Sequence, residues 1–240
     1  MRVEIKEIGK PKLKNPVIIE GFPGIGMMGT ISSSYLAEKL EMTLIGYIAS
    51  SHFPPISAIH NYQPVSPARI YASEKHDLIV LFSEFVIPAD VVYPLSEEII
   101  RWAKSKNAKA IYSLAGIAVE APTPKFHGIA STPEMADLLK NNGVELIKEG
   151  ATQGVSGVLI AQCAAQKFPA ANVMVETSQP MDPVNSARLL DKLSSIIGFK
   201  VDTQPLVKEG RDVEAKMREA MQKMQALHED YKRQENPMVT

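Results

Sequence analysis

Cysteine is almost absent from this sequence. Cys163 stands alone, so no intramolecular disulfide can form and a cysteine-built zinc cluster lacks ligands. Neither sign of charge dominates: 26 Lys and Arg stand against 27 Asp and Glu, a formal net charge of −1. A sequence-independent grip on nucleic acid needs a basic excess to displace counterions from phosphates, and no nucleic-acid partner is expected. No apolar run approaches the roughly 18 residues of a membrane-spanning helix, and no membrane partner is expected. The opening residues, MRVEIKEIGKPKLK, alternate charged and apolar side chains without the apolar stretch of a secretory signal. These shortages point to a reduced, cytoplasmic setting. His52, His60, His76, His127 and His228 show no H-E-x-x-H or other close ligand spacing, which favours hydrogen-bonded loop and surface positions over a metal site. Neither a metal nor a cofactor is expected.

What the chain does have is apolar content. Hydrophobic residues make up 45% of the 240, enough for one large domain or a domain with an appendage. Residues 3–8 alternate as a half-buried strand does. PVIIEGF at 16–22 is a short β-rich run, a glycine turn follows, residues 30–40 have helical spacing, and TLIGYIA at 43–49 is the next strand. That order predicts a βαβ unit and a parallel sheet. Residues 52–67, HFPPISAIHNYQPVSP, are rich in proline and read as a loop or edge excursion. Residues 69–72 and 77–82 form a strand pair around a polar turn. A helix over 95–106, a strand over 109–114, helices over 155–167 and 183–197, and a strand over 172–176 complete the alternation. Ser131, Pro133 and Glu134 spell a capping box for a helix that Asn142-Gly143 ends near 141. The predicted fold is α/β, a mostly parallel sheet flanked by helices, in a core over residues 1–207.

A different regime follows. Val213, Met217, Ala220, Met224, Leu227 and Tyr231 recur at alternating steps of four and three, a heptad seam with charge elsewhere. A helix over 208–235 is expected, with a tail at 236–240. The seam packs either on its own domain or on another subunit. In the second case Met217, Met221, Met224, Leu227 and Tyr231, with Met238, Val239 and Thr240 of the tail, form the partner or oligomer contact.

The most conspicuous motif is GFPGIGMMG at 21–29, in which Gly24, Gly26 and Gly29 match G-x-G-x-x-G between a strand and a helix. In dinucleotide-binding folds such glycines bring phosphate to the helix N-terminus, and an acid about 20 residues on grips the ribose. No Asp or Glu lies between Thr43 and Ile70. Two readings stay open. One is a tight turn or subunit contact whose glycines serve sterically. The other is a nucleotide or anionic small-molecule site built from Gly24, Gly26, Gly29 and the strand-end carboxylate Glu176. Glu84 and Glu120 also fall at predicted strand ends, where ligands collect in parallel sheets but where carboxylates also cap turns. Gly154-Val155-Ser156-Gly157 is one residue short of a nucleophile elbow, because Val158 stands where the second glycine belongs; Ser156 reads better as a helix cap. Cys163, in an alanine-rich helix, reads as a buried apolar group, and Trp102 with Ile99 and Ile100 as helix-to-sheet packing. Phe53-Pro54-Pro55 is a rigid surface feature of the kind that contacts partners.

Taken in order, GFPGIGMMGTISSSYLAEKL, IGYIASSHFPP, ARIY, LIVLFSE, KAIYSLAGI, HGIAS, GVELIKEGATQGVSGVLI and VMVETSQPMDP resemble the archaeal branch of the proteasome assembly chaperone family, some members of which carry a label as ATP-grasp relatives. The resemblance spans residues 16–205. It implies a phosphorylase/hydrolase-like α/β fold, homo-oligomers, and a non-catalytic role in assembling or activating the 20S proteasome through its α subunits. The family's docking device is a terminal hydrophobic–tyrosine–any tail. Here the chain ends Met238-Val239-Thr240, with valine in tyrosine's place and Tyr231 too far back to substitute, so the resemblance does not carry tail docking over to this chain.

Overall fold

The computed structural model describes residues 3–210 together with residues 212, 215, 218, 219, 221–224 and 226. The chain runs β1 (Val3–Glu7), β2 (Val17–Gly21), α1 (Met28–Lys39), β3 (Thr43–Ser50), β4 (Ala58–His60), β5 (Gln63–Val65), β6 (Ala68–Ser73), β7 (Leu78–Ser83), α2 (Ala89–Ser105), β8 (Ala110–Ala118), β9 (Phe126–Ala130), α3 (Pro133–Asn141), β10 (Glu145–Leu146), α4 (Gly154–Ala165), β11 (Ala170–Thr177), α5 (Pro183–Ile197) and α6 (Gln204–Lys208). Nine strands form one sheet in the order β1-β3-β6-β7-β2-β8-β11-β9-β10, and β4 and β5 form a separate hairpin.

The four central strands, β7, β2, β8 and β11, are mutually parallel. Antiparallel pairs flank them on both sides, and β10 closes one edge parallel to β9. The central strands are continuous apolar runs because both their faces are covered. Successive side chains point to opposite faces. Ile18, Ile79, Leu81 and Ile111 pack with Val91, Leu95 and Ile99 of α2 and Leu159 and Cys163 of α4. Ile19, Val80, Phe82 and Tyr112 pack with Ile31 and Leu36 of α1 and Leu189, Leu190 and Leu193 of α5. Each fully buried aliphatic side chain contributes about 1.5–3 kcal/mol, so two cores, one on each face, hold the sheet.

Strand order is where the expected βαβ unit changes. β2 and β3 do run in the same direction, but β7 and β6 lie between them. Alternation along the chain specifies which elements exist; side-by-side order depends on which apolar faces meet. The capping residue of α3 also differs from the one expected. Thr132 accepts the Met135 amide at 3.4 Å, while the Ser131 hydroxyl donates to the Phe168 carbonyl and accepts from the Ala170 amide, both at 2.7 Å. Ser131 therefore ties β9 to β11 instead of starting the helix.

The described residues from 212 to 226 are helical. Met221 is half-buried against the core under α1 and α5, and Met224 against the core under α2 and α4. Met217, Leu227, Tyr231, Met238, Val239 and Thr240, with Val213 and Ala220 of the seam, lie outside the described residues.

Candidate functional site

The parallel strands deliver their C-terminal ends to one edge of the sheet, where the glycine turn leaves β2. Gly26 has φ 68° and Met27 φ 51°, both left-handed, and only glycine adopts that region without cost. Gly29 lies under β8. A Cβ there would stand 2.7 Å from the Leu114 carbonyl oxygen and 2.9 Å from that of Phe22, so the start of α1 approaches the strands closer than any other residue permits. A Cβ on Gly24 would meet nothing within 4 Å. Met27 and Met28 are buried core residues, and the Asp182 amide donates to the Gly26 carbonyl at 3.0 Å. The turn is held down on both sides, and two of its three motif glycines have steric work.

Glu176 is close in sequence to Thr177, which packs near Gly26, but its carboxylate turns toward β9. It accepts the Thr123 amide at 2.7 Å and lies 3.1 Å from His127 Nε2. The Thr123 amide and hydroxyl, then His127, hold its carboxyl below the usual carboxylate range. Glu120 is exposed beyond β8. Glu84 accepts from the guanidinium of the nearly buried Arg69 and from His60 Nε2 at 2.7 Å. Burial pushes the Glu84 carboxyl up, but His60 and Arg69 outweigh burial and hold it below its ordinary value. Arg69 also stacks over Phe82 at 5.2 Å.

A cluster built on an acid that the sequence reading did not single out stands at the centre. Glu20, at the end of β2, is completely buried. Its Oε1 accepts the Phe22 amide at 2.9 Å and its Oε2 accepts the Ser156 hydroxyl at 3.0 Å. Ser113, its register partner on β8, is a third partner. Burial pushes its carboxyl up, and the bonds from Ser113, Phe22 and Ser156 offset only part of that. Its sequence signal is an acid inside VIIEG, and the Ser156 hydroxyl is committed to it.

The proline-rich excursion forms the β4–β5 hairpin. His60 and Gln63 pair around a two-residue turn, Asn61-Tyr62, with φ of 50° and 64°. Ile59 and Tyr62 are 74% and 98% exposed. At the hairpin base is an open groove of about 400 Å³, lined by residues that include Tyr47, Phe53, Pro54, Ile56, Pro64 and Phe85. The rigid Phe53-Pro54 step noted in the sequence thus walls a groove, and Phe53 meets Phe85 edge to face at 4.9 Å between centroids.

Residues 18–221 match the PAC2 family model, most of the chain. The chain belongs to the PAC2 family. This PAC2 chain is 33% identical over 215 residues to an uncharacterised protein of Methanocaldococcus jannaschii, covering 89% of the chain and 88% of that relative. It is similar to the crystal structure of Pyrococcus furiosus PbaA, an archaeal homolog of proteasome-assembly chaperone, at 30% identity and a TM-score of 0.85, over 94% of this chain and 99% of that one. Pyrococcus furiosus PbaB, an archaeal proteasome activator, shares the fold at a TM-score of 0.76 and 18% identity, over 90% of this chain and 98% of that one. The α/β fold with its large sheet and helical C-terminal segment is that of PAC2 structures.

Proposed function

We propose that the chain is a non-catalytic chaperone of 20S proteasome assembly, or a modulator of the proteasome, that binds α subunits as a cytoplasmic homo-oligomer. The observation that carries this reading is the near end-to-end match to PbaA, in sequence as well as fold. Two features of the site support it. The Ser156 hydroxyl donates to a buried carboxylate, and the glycine turn packs its carbonyls against neighbouring backbone. In this reading the chain divides into a core over 1–207, a contact helix over 208–235 and a tail over 236–240. Met217, Leu227 and Tyr231 and the tail residues Met238, Val239 and Thr240 supply contacts, together with the exposed parts of Met221 and Met224, whose other sides rest on the chain's own cores.

The test is native mass spectrometry of the purified protein mixed with proteasome α subunits at micromolar concentration. A mixed complex is expected. Separate masses only, across that range, would overturn the reading.

A further inference from the structure

The net charge of −1 conceals a local excess of one sign. The segment joining β1 to β2 reads IGKPKLKNP over residues 8–16. Lys10, Lys12 and Lys14 alternate with Pro11 and Leu13; the lysines are exposed, while Leu13 rests on the core under α2 and α4. The segment is held through its backbone. The Ile8 and Gly9 amides donate to the Ile45 carbonyl. The Lys12 amide donates to Glu74 at 2.7 Å, and the Lys14 and Asn15 amides donate to the two oxygens of Asp77 at 2.9 and 3.0 Å. Pro11 and Pro16 fix their own φ. The nearest acids are thus occupied by backbone amides, and the lysine side chains stay in solvent.

Further contacts make this segment continuous with other lysines at the same end of the sheet. Asn15 Nδ2 donates to the Asn107 carbonyl at 3.3 Å, and the Lys109 amide to the Pro16 carbonyl at 2.9 Å; these bring in Lys109, just past α2. Lys104 Nζ donates to Gln166 at 2.7 Å, which brings in Lys167, just past α4. Lys75 stands in the turn that supplies Glu74 and Asp77. Lys12, Lys14, Lys75, Lys109 and Lys167 are exposed and have no carboxylate partner among the described residues. Glu7, also at this end, is held by Lys106 at 2.6 Å. Lysines beside a helix C-terminus complement its dipole, which accounts for Lys104 and Lys167. It does not account for Lys10, Lys12, Lys14 and Lys75, which belong to no helix.

We propose that this lysine strip is a docking surface for an acidic protein. Charge complementarity selects an acidic partner, because unpaired ammonium groups on one surface steer and orient carboxylates. Two features select protein over nucleic acid. Glu7, Glu74 and Asp77 stand among the lysines, where discrete carboxylates of a partner can avoid them but a continuous line of phosphates would meet like charge. Base stacking needs exposed aromatic rings, and the exposed ones among the described residues are Tyr62 of the β4–β5 hairpin and Tyr93 at the opposite end of α2. Ile8, 61% exposed, adds an apolar contact beside the strip, as protein interfaces combine the two. The segment is already ordered by its own hydrogen bonds, so docking costs little further ordering. The strip lies at the N-terminal ends of β2, β8 and β11. The C-terminal segment leaves the fold at the other end, where Gly210 sits beside Pro183 of α5. The strip is therefore a contact separate from the helix in the proposed function and does not depend on it.

The experiment uses the full chain, with poly-L-glutamate as the acidic polypeptide and a DNA duplex as the competing polyanion. Binding of each is measured by fluorescence anisotropy for the wild type and three variants, with a thermal melt of each protein. The first variant neutralises the strip with Lys10→Gln, Lys12→Gln and Lys14→Gln. The second keeps its charge with Lys10→Arg, Lys12→Arg and Lys14→Arg. The third removes the same charge elsewhere, with Lys125→Gln, Lys140→Gln and Lys148→Gln. All six lysines are exposed, so melting temperatures are expected to agree within a few degrees. The wild type is expected to bind poly-L-glutamate with an affinity that falls as salt rises from about 50 to about 200 mM. Glutamines in the strip are expected to weaken binding by about tenfold, and the other two variants by less than about threefold. Failure of the wild type to bind at the lower salt would overturn the proposal. So would an equal loss in both glutamine variants, which would reduce the effect to net charge. Tighter binding of the duplex than of poly-L-glutamate would make the strip a nucleic-acid contact and likewise overturn it.

Discussion

Glu20 concentrates the energetics of the site in one side chain. Burial raises its folded pKa above the unfolded value of about 4.3, so the folded state holds the proton more tightly. The contribution to stability is therefore full below the unfolded value and is lost as pH rises through the folded one. Glu84 and Glu176, with lowered values, act in the opposite sense: they stabilise above the unfolded pKa and cease to do so in acid. Comparison with Glu20→Gln cancels those groups. The wild-type melting temperature minus that of Glu20→Gln is expected to fall by several degrees as pH rises from about 4 to about 8; a flat difference would refute a proton-holding Glu20. Cys163 gives a second prediction at this scale. Burial pushes its thiol up to about 12, so little thiolate exists near neutral pH. Reaction with a thiol reagent is expected only as the chain unfolds, and a rapid stoichiometric reaction of the folded protein would contradict the core placement.

At the scale of the element, the glycine turn separates into positions with different demands. Gly29→Ala puts a Cβ 2.7 Å from a backbone carbonyl, and overpacking against backbone costs about 1–3 kcal/mol. Gly26→Ala forces alanine to a φ of 68°, about 1–2 kcal/mol. Gly24, extended at φ −156° with open space at its Cβ, is expected to accept alanine within about 0.5 kcal/mol. Thermal melts of the three single variants check this order. Equal losses at all three positions would mean that the turn serves something other than packing. The hairpin is the other element with an individual demand, since its turn keeps a tyrosine where glycine relieves strain.

For the whole molecule, part of the C-terminal helix packs within the chain. Met221 and Met224 lie half-buried against the chain's own cores, so removing the entire helix would confound folding with binding. Removing residues 227–240 leaves those two methionines in place. This truncation is expected to keep the melting temperature within a few degrees and to weaken α-subunit binding several-fold in the native mass assay. Undiminished binding would place the contact elsewhere and remove the role proposed for Leu227, Tyr231 and the tail.

Much of the fold was legible because periodicity is local. Strands such as β7 and β11 and helices such as α5 follow from apolar spacing and turn residues within a dozen positions, and α5 begins and ends as expected at Pro183 and Ile197. The short strand β9 and the capping role of Thr132 were less legible, since both depend on neighbours far along the chain, Ala170 and Phe168 among them. The site was legible in part: Gly24–Gly29 and Glu176 stand at the expected sheet edge, but the direction of the Glu176 carboxylate toward His127 is a matter of which loop folds over it. Composition and spacing alone determined that this is a charge-balanced α/β chain with a glycine-dependent turn after its second strand. Only the tertiary structure decided that β6 and β7 separate β2 from β3, that Glu20 is sealed under Ser113 and Ser156, and that an uncharged hairpin is left facing solvent. The reason is physical: local pattern sets what each segment can bury, whereas the partner that buries it is chosen by packing across the whole sheet.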